Sequence, residues 1–194
     1  MNKDIFKVEH LVNKLKRSEL KNQKPLCIWL TGMSASGKST LAINLEKKLT
    51  ERKMHCYVLD GDNLRQGINK DLGFEVKDRE QVTFRIGEIS RIMVDAGLIV
   101  IVACISPFNK EREKLKLRFE KDEFFEVHVN TPIEECIKRD PKKLYLKAKN
   151  NSSINNIGIG GFYENPIKPF LRIDTSKTSV QESVNMLVKK IFGN

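Results

Sequence analysis

Long apolar runs are missing from this chain of 194 residues. The longest, Leu98 to Ile105, has the length of a strand and falls far short of the ~18 residues needed to cross a bilayer. The charged opening, Met1 to Asn22, lacks the apolar core of a secretory signal. Together these omissions predict a cytoplasmic protein with no membrane partner. Cysteine is scarce, and Cys27, Cys56, Cys104 and Cys136 form no CxxC or CxxH pair, so the usual zinc spacings are excluded. Cys27, Cys56 and Cys104 fall in apolar, strand-like runs, where cysteine behaves as a small buried hydrophobe. His10, His55 and His128 have no nucleophile pattern beside them. No internal repeat or low-complexity linker divides the chain, and its length suits one domain with a substantial core.

Charge, by contrast, is plentiful: 31% of residues carry it, with a net +10. A nucleic-acid binder would gather its basic residues on one face and interleave aromatics for stacking. Here lysines stand beside glutamates, as along Asn109 to Asp122, which reads as a solvated helix face. No nucleic-acid partner is expected. Such a surface would still attract polyphosphate ligands.

A polar segment, read as a helix over residues 4–20, precedes Pro25 to Thr31, a buried strand. An amphipathic helix through Leu41, Ile43, Leu45 and Leu49 follows, then a second strand at Cys56 to Asp60. Helical periodicity runs from Asp78 to Ala96; Leu98 to Ile105 and Phe124 to Val129 are further strands, and a helix spans Pro132 to Arg139. Residues 141–166 are polar and show little periodicity. Phe170 to Asp174 reads as a last strand and Ser179 to Ile191 as a closing helix. Strands alternating with helices predict a three-layer α/β/α sandwich around a mainly parallel sheet. In such folds ligands bind beyond the carboxyl ends of the strands.

Gly32-Met33-Ser34-Ala35-Ser36-Gly37-Lys38-Ser39 fits G-x-x-x-x-G-K-[ST] at each fixed position, between an apolar strand and an amphipathic helix. Glycines let the backbone wrap phosphate oxygens with inward N–H groups, and the helix N-terminus adds partial positive charge. Residues Gly32 to Thr40 are therefore the candidate ATP site, with Lys38 on the β- and γ-phosphates and the Ser39 hydroxyl on Mg²⁺. Beyond the second strand stands Asp60-Gly61-Asp62-Asn63-Leu64-Arg65. A phosphoryl acceptor hydroxyl needs a carboxylate to orient it and take its proton, and Mg²⁺ needs oxygen partners. Two aspartates around one glycine can serve both demands, and Arg65 can meet an anionic group on the acceptor.

With these motifs in this order, the chain resembles adenylylsulfate kinases. The matching stretches are Ile28 to Thr40, Leu59 to Arg65, Asn69 to Phe74, Asp78-Arg79, Ile105 to Phe108 and Arg139 to Tyr145, in order from about residue 25 to 166. The resemblance implies a P-loop nucleotide-kinase fold with a mobile lid over about 141–166, in a single kinase domain 25–194 behind the helical extension 1–24. It implies ATP-dependent phosphorylation of the 3′-hydroxyl of adenosine 5′-phosphosulfate, with Mg²⁺ as cofactor, a small nucleotide acceptor as partner, and a homodimer. By residue, it implies Asp62 as base and Lys38 as the second catalytic group. Asp60 is Asp62's acidic neighbour, near the metal with Ser39. Arg65 and Arg79 hold the phosphosulfate, Phe74 stacks on adenine, and Ile105 and Ser106 line the acceptor pocket. Ser106 is read as a pocket residue, because direct transfer needs no phosphoserine. Lys142, Leu144 and Tyr145 begin the lid.

The departures fall on the acceptor side. An Asn-x-Arg-Arg pattern becomes Val82-Thr83-Phe84-Arg85, Lys143 replaces a lid glycine, and a second adenine-facing aromatic is lost where Ile157 stands. They leave two alternatives: the same chemistry on another nucleotide, such as a cytidine diphosphoramidate, or a non-catalytic nucleotide-binding partner of an ATP sulfurylase.

Overall fold

The computed structural model describes residue 6, residues 8–150 and residues 163–193. Five strands form one sheet in the order β2-β3-β1-β4-β5. They are β1 (Leu26–Thr31), β2 (Cys56–Asp60), β3 (Ile99–Ala103), β4 (Phe124–Val129) and β5 (Leu171–Ile173). Every pairing is parallel. The helices are α1 (Lys14–Lys21), α2 (Lys38–Glu51), α3 (Gly61–Leu64), α4 (Val76–Asp95), α5 (Asn109–Lys116), α6 (Ile133–Arg139), α7 (Leu144–Asn150) and α8 (Val180–Phe192).

β1 is central, and all six of its residues are buried. Because successive strand residues point to opposite faces, β1 feeds two cores. Leu26, Ile28 and Leu30 pack with Leu41, Leu45 and Leu49 of α2 and with Val184, Leu187 and Val188 of α8. Cys27 and Trp29 pack with Val82 and Ile86 of α4 and Leu115 of α5 on the other side. A strand buried on both faces needs no polar alternation, which is why β1 and β3 read as unbroken apolar runs. The four cysteines are free thiols; Cys27, Cys104 and Cys136 are buried and Cys56 partly so. Burial pushes each thiol up, the state of a packing group rather than a nucleophile.

Three readings differ from the sequence expectation. The N-terminal helix starts only at Lys14, where the Asn13 side chain accepts from the Lys16 N–H. Upstream, Phe6, Val8 and Leu11 are exposed, so no burial supports a longer helix. The helix is held to the domain by Arg17 on Asp95 at 2.5 Å and by the Gln23 side chain, which bridges His55 and Gly97. Second, α5 ends at Lys116, and its face is not wholly solvated: Arg112 and Leu115 are buried. Third, the stretch after residue 141 carries α7, whose first turn is capped by both Asp140 oxygens on the N–H groups of Leu144 and Leu146. Residues 151–162, including Ile157 and the middle of the expected lid, lie outside the described residues.

His128 on β4 is 3% exposed, stacks on Tyr163 with ring centroids 5.6 Å apart, and leaves Nδ1 without a partner among the described residues. Burial pushes its pKa down to about 4, and Arg172 and Arg112 push the same way. The unfolded chain therefore binds a proton here that the folded chain refuses between about pH 6.5 and about 4. Stability from the neutral imidazole is present above the unfolded value and is lost as pH falls through this window. His128→Phe is expected to lose less stability between neutral pH and about pH 5 than the parent chain in urea denaturation; equal losses would refute this.

Candidate active site

Each element that carries chemistry follows the carboxyl end of a strand. The phosphate loop follows β1, and Gly32 opens it because a Cβ there would meet the Val129 carbonyl oxygen at 2.5 Å. Gly37 takes φ 99, and Ala35 takes φ 59, a left-handed conformation that costs a side-chain residue on the order of 1 kcal/mol. The loop is braced from beneath. The Ser36 carbonyl accepts from both Thr131 Oγ1 and Thr175 Oγ1, each at 2.9 Å. Arg139 in turn holds Thr175 through its hydroxyl at 2.7 Å and its carbonyl at 3.1 Å. These threonines went unread in the sequence; their one signal is that each lies just past a strand end.

Lys38 Nζ donates to the Met33 carbonyl at 2.6 Å, across the loop it belongs to. Burial pushes its pKa down to about 8; Lys142 pushes the same way and Asp62 opposes. Ser39 Oγ donates to Asp60 Oδ2 at 2.6 Å, while Asp60 Oδ1 accepts from the Asp62 N–H at 2.9 Å and caps α3. That cap is why Asp62 projects from a one-turn helix at the end of β2. Its carboxylate pairs with Lys142. Both side chains are more than half exposed, so the pair contributes under about 1 kcal/mol and yields readily to an incoming group.

Opposite stand Arg65, Phe74 and Arg79. Arg65 donates to the Leu72 and Gly73 carbonyls, and its guanidinium lies 4.3 Å from the Phe74 ring centroid. Arg79 donates to the Phe74 carbonyl at 2.9 Å and lies 5.6 Å from the same ring. Phe74 is 59% exposed, so it is no core residue. Burial, with Arg65 adding repulsion, pushes Arg79 down to about 10, which marks a place short of negative charge. On the third side Ile105 and Ser106 lie just past the end of β3. Ser106 is 1% exposed, and its hydroxyl accepts from Trp29 Nε1 at 2.9 Å and donates to Thr31 Oγ1 at 3.0 Å. A hydroxyl so engaged is a structural fixture of the pocket wall.

A cavity of about 460 Å³ joins these parts. Of the expected residues, Ser34, Ala35, Gly37, Lys38, Ser39, Thr40, Asp62, Arg65, Phe74, Arg79, Ile105, Ser106, Lys142 and Leu144 line it. Gly32, Met33, Ser36 and Asp60 stand behind that lining. Cys104, Pro107, Arg139 and Pro141 also line it and carried no assigned role. Tyr145, at the start of the expected lid, is buried and donates to the Ser34 carbonyl at 2.9 Å. Among the departures, Val82 lines the cavity, whereas Phe84 is not in its wall and packs under Arg118. Lys143 takes φ 54, the left-handed conformation that a glycine would adopt freely.

Among the described residues no cluster of three or more His, Cys, Asp or Glu side chains could hold a metal. Mg²⁺ needs no such cage: it keeps several waters and is held by one or two hard oxygens together with substrate phosphates. The Ser39 hydroxyl and Asp60 carboxylate are such a set.

Residues 24–174 match the family model described as adenylylsulphate kinase. An adenylyl-sulfate kinase of Shewanella sp. (strain ANA-3) is 48% identical over 180 residues, 93% of this chain and 88% of that one. Another, from Shewanella pealeana, is 48% identical over 185 residues, 95% of this chain and 90% of its own. The Mycobacterium tuberculosis APS kinase solved in complex with AMPPNP and APS superimposes with a TM-score of 0.82 at 37% identity, covering 87% of this chain and 98% of that one.

Bound phosphates would restore the counter-charge that burial denies Lys38. Mg-ATP binding at about pH 8.5 is therefore expected to take up more than about half a proton, and almost none at about pH 7. Calorimetric titration in two buffers of different ionisation enthalpy measures this; buffer-independent heats at both pH values would refute it.

Proposed function

The chain belongs to the adenylylsulfate kinase family, and on that premise we propose that it transfers the γ-phosphoryl group of ATP to the 3′-hydroxyl of adenosine 5′-phosphosulfate. The observation that carries the proposal is the single cavity in which the phosphate loop faces Asp62, Arg65, Phe74 and Arg79. A binding protein has no use for an acceptor-side base facing its nucleotide loop, which argues against the non-catalytic alternative.

In this reading Asp62 accepts the proton of the 3′-hydroxyl. The hydroxyl oxygen forms its bond to the γ-phosphorus as the bond to the β–γ bridging oxygen breaks, and ADP leaves. Little covalent work falls to the protein, so positioning and charge stabilisation do most of it. Lys38 and the loop N–H groups neutralise the transferring group. Arg65 and Arg79 meet the phosphosulfate, whose negative charge would offset the burial and the Arg65 repulsion that lower Arg79. Phe74 offers its ring to the adenine, and Ile105 and Ser106 form the facing wall. Lys142 leaves Asp62 for the phosphates as the lid closes. Ser39 and Asp60 would hold Mg²⁺ together with the nucleotide, and the ion would supply positive charge to the transferring phosphoryl group.

Two measurements test the proposal. ADP release from Mg-ATP is expected with adenylylsulfate and not with a panel of other nucleotides, cytidine derivatives included. Silence on adenylylsulfate with turnover on another acceptor would sink the assigned substrate and leave the phosphotransfer intact. Asp62→Asn is expected to lower turnover by about 10²- to 10⁴-fold while ATP affinity stays near the parent value. Undiminished turnover would remove Asp62 from the role of base.

A further inference from the structure

Arg112 is 1% exposed, yet it lies in a stretch of charged residues that otherwise face solvent. Its guanidinium is spent on four partners. Nε donates to Glu126 Oε1 at 2.7 Å, Nη1 to the Ser106 carbonyl at 2.5 Å, and Nη2 to the Glu164 carbonyl at 2.7 Å and to the Asn109 side chain. The chain around Glu164 is tied to the same place twice more. Its N–H donates to the Pro107 carbonyl at 2.9 Å, and its carboxylate accepts from the Asn109 N–H at 2.6 Å. The neighbouring Tyr163 hydroxyl lies 3.1 Å from Thr31 Oγ1.

A buried ion pair is a poor source of stability, because desolvation consumes most of what the attraction returns. The Arg112–Glu126 pair therefore needs another reason to exist, and Ser106 supplies one. Ser106 stands at φ 38, a conformation a side-chain residue keeps only when its surroundings dictate it. Its carbonyl is held by Arg112 and its hydroxyl by Trp29 and Thr31. We infer that Arg112 is a positioning residue for the acceptor: through the Ser106 carbonyl it holds the pocket wall at Ile105 and Ser106, and through the Glu164 carbonyl it fixes that wall to the segment at 163–165. This rests on the assignment of that wall to the acceptor. Arg112 itself is not in the cavity lining and contacts no residue of the phosphate loop, so its loss should appear on the acceptor side alone.

The chain holds one tryptophan, and Trp29 donates directly to Ser106, so its emission reports on this wall without any turnover. Arg112→Lys keeps the charge opposite Glu126 and removes the fork. It is expected to raise KM for adenylylsulfate on the order of tenfold, to leave KM for ATP within about twofold, and to shift the Trp29 emission. Should that variant not fold, the paired exchange Arg112→Met with Glu126→Leu removes both buried charges together and is expected to give the same pattern. An unchanged acceptor KM in a folded variant overturns the inference. So does a parallel rise in both KM values with lowered thermal stability, which would mark a general structural role. If the parent chain turns over a different nucleotide, the substrate assignment has failed; the same comparison is then made with that nucleotide, and the inference stands or falls on its KM.

Discussion

The approach of Gly32 to the Val129 carbonyl is the contact on which the site depends. β1 and β4 lie side by side in a parallel pair, and the chain must turn out of β1 directly over the end of β4. A Cβ at 2.5 Å from a backbone oxygen has nowhere to go, since neither partner is a flexible side-chain tip. With glycine there, the loop lies flat enough for its Ser36 carbonyl to be gripped by the two threonines that follow β4 and β5. The same turn directs α2 so that its first residue is Lys38 and its second Ser39. Strand spacing, not loop chemistry alone, fixes where the phosphates would sit.

Charge in the cavity follows from that geometry. Lys38, Arg65, Arg79, Arg139 and Lys142 all line it, against Asp62 as the one carboxylate among the described lining residues, with Asp60 just behind. An excess of cations in a partly dry cleft is unfavourable by itself: burial first depresses Lys38 and Arg79, and Lys142 and Arg65 push the same way. Most stable, isolated proteins would avoid such a cluster. A phosphotransferase that receives ATP and an anionic acceptor has its compensation delivered by the substrates. Fold stability and substrate affinity are thus coupled through the same side chains.

Much of this was legible in the sequence, for a physical reason. β1, β3 and the two long helices are governed by burial on one or both faces, and burial writes itself into periodicity. The phosphate loop and Asp60–Asp62 were legible because steric and chemical demands admit few residues there. Arg112 was misread for the converse reason. A buried arginine inside a run of lysines and glutamates looks like its neighbours until the tertiary partners Glu126 and Glu164 are known. Thr131 and Thr175 escaped notice likewise, since nothing local distinguishes a threonine that braces a loop from one that ends a strand. The polar segment read as a helix over residues 4–20 is not helical over 8–13, where Val8 and Leu11 are exposed and have no burial to support a helix.

The departures from the family pattern now separate into kinds. Phe84 has left the acceptor question, because its ring packs against Arg118 outside the cavity wall. Lys143 bears on local backbone strain: at φ 54 it holds the conformation glycine prefers, so the turn between Lys142 and α7 keeps its shape at a cost on the order of 1 kcal/mol. Val82 is different in kind. It is 5% exposed, lines the cavity, and packs in the core that contains Trp29 and Ile86. A polar side chain there could reach a ligand, whereas valine offers only surface. Of the three departures at Val82, Phe84 and Lys143, Val82 alone lies in the described cavity wall, where it replaces a polar group with apolar surface.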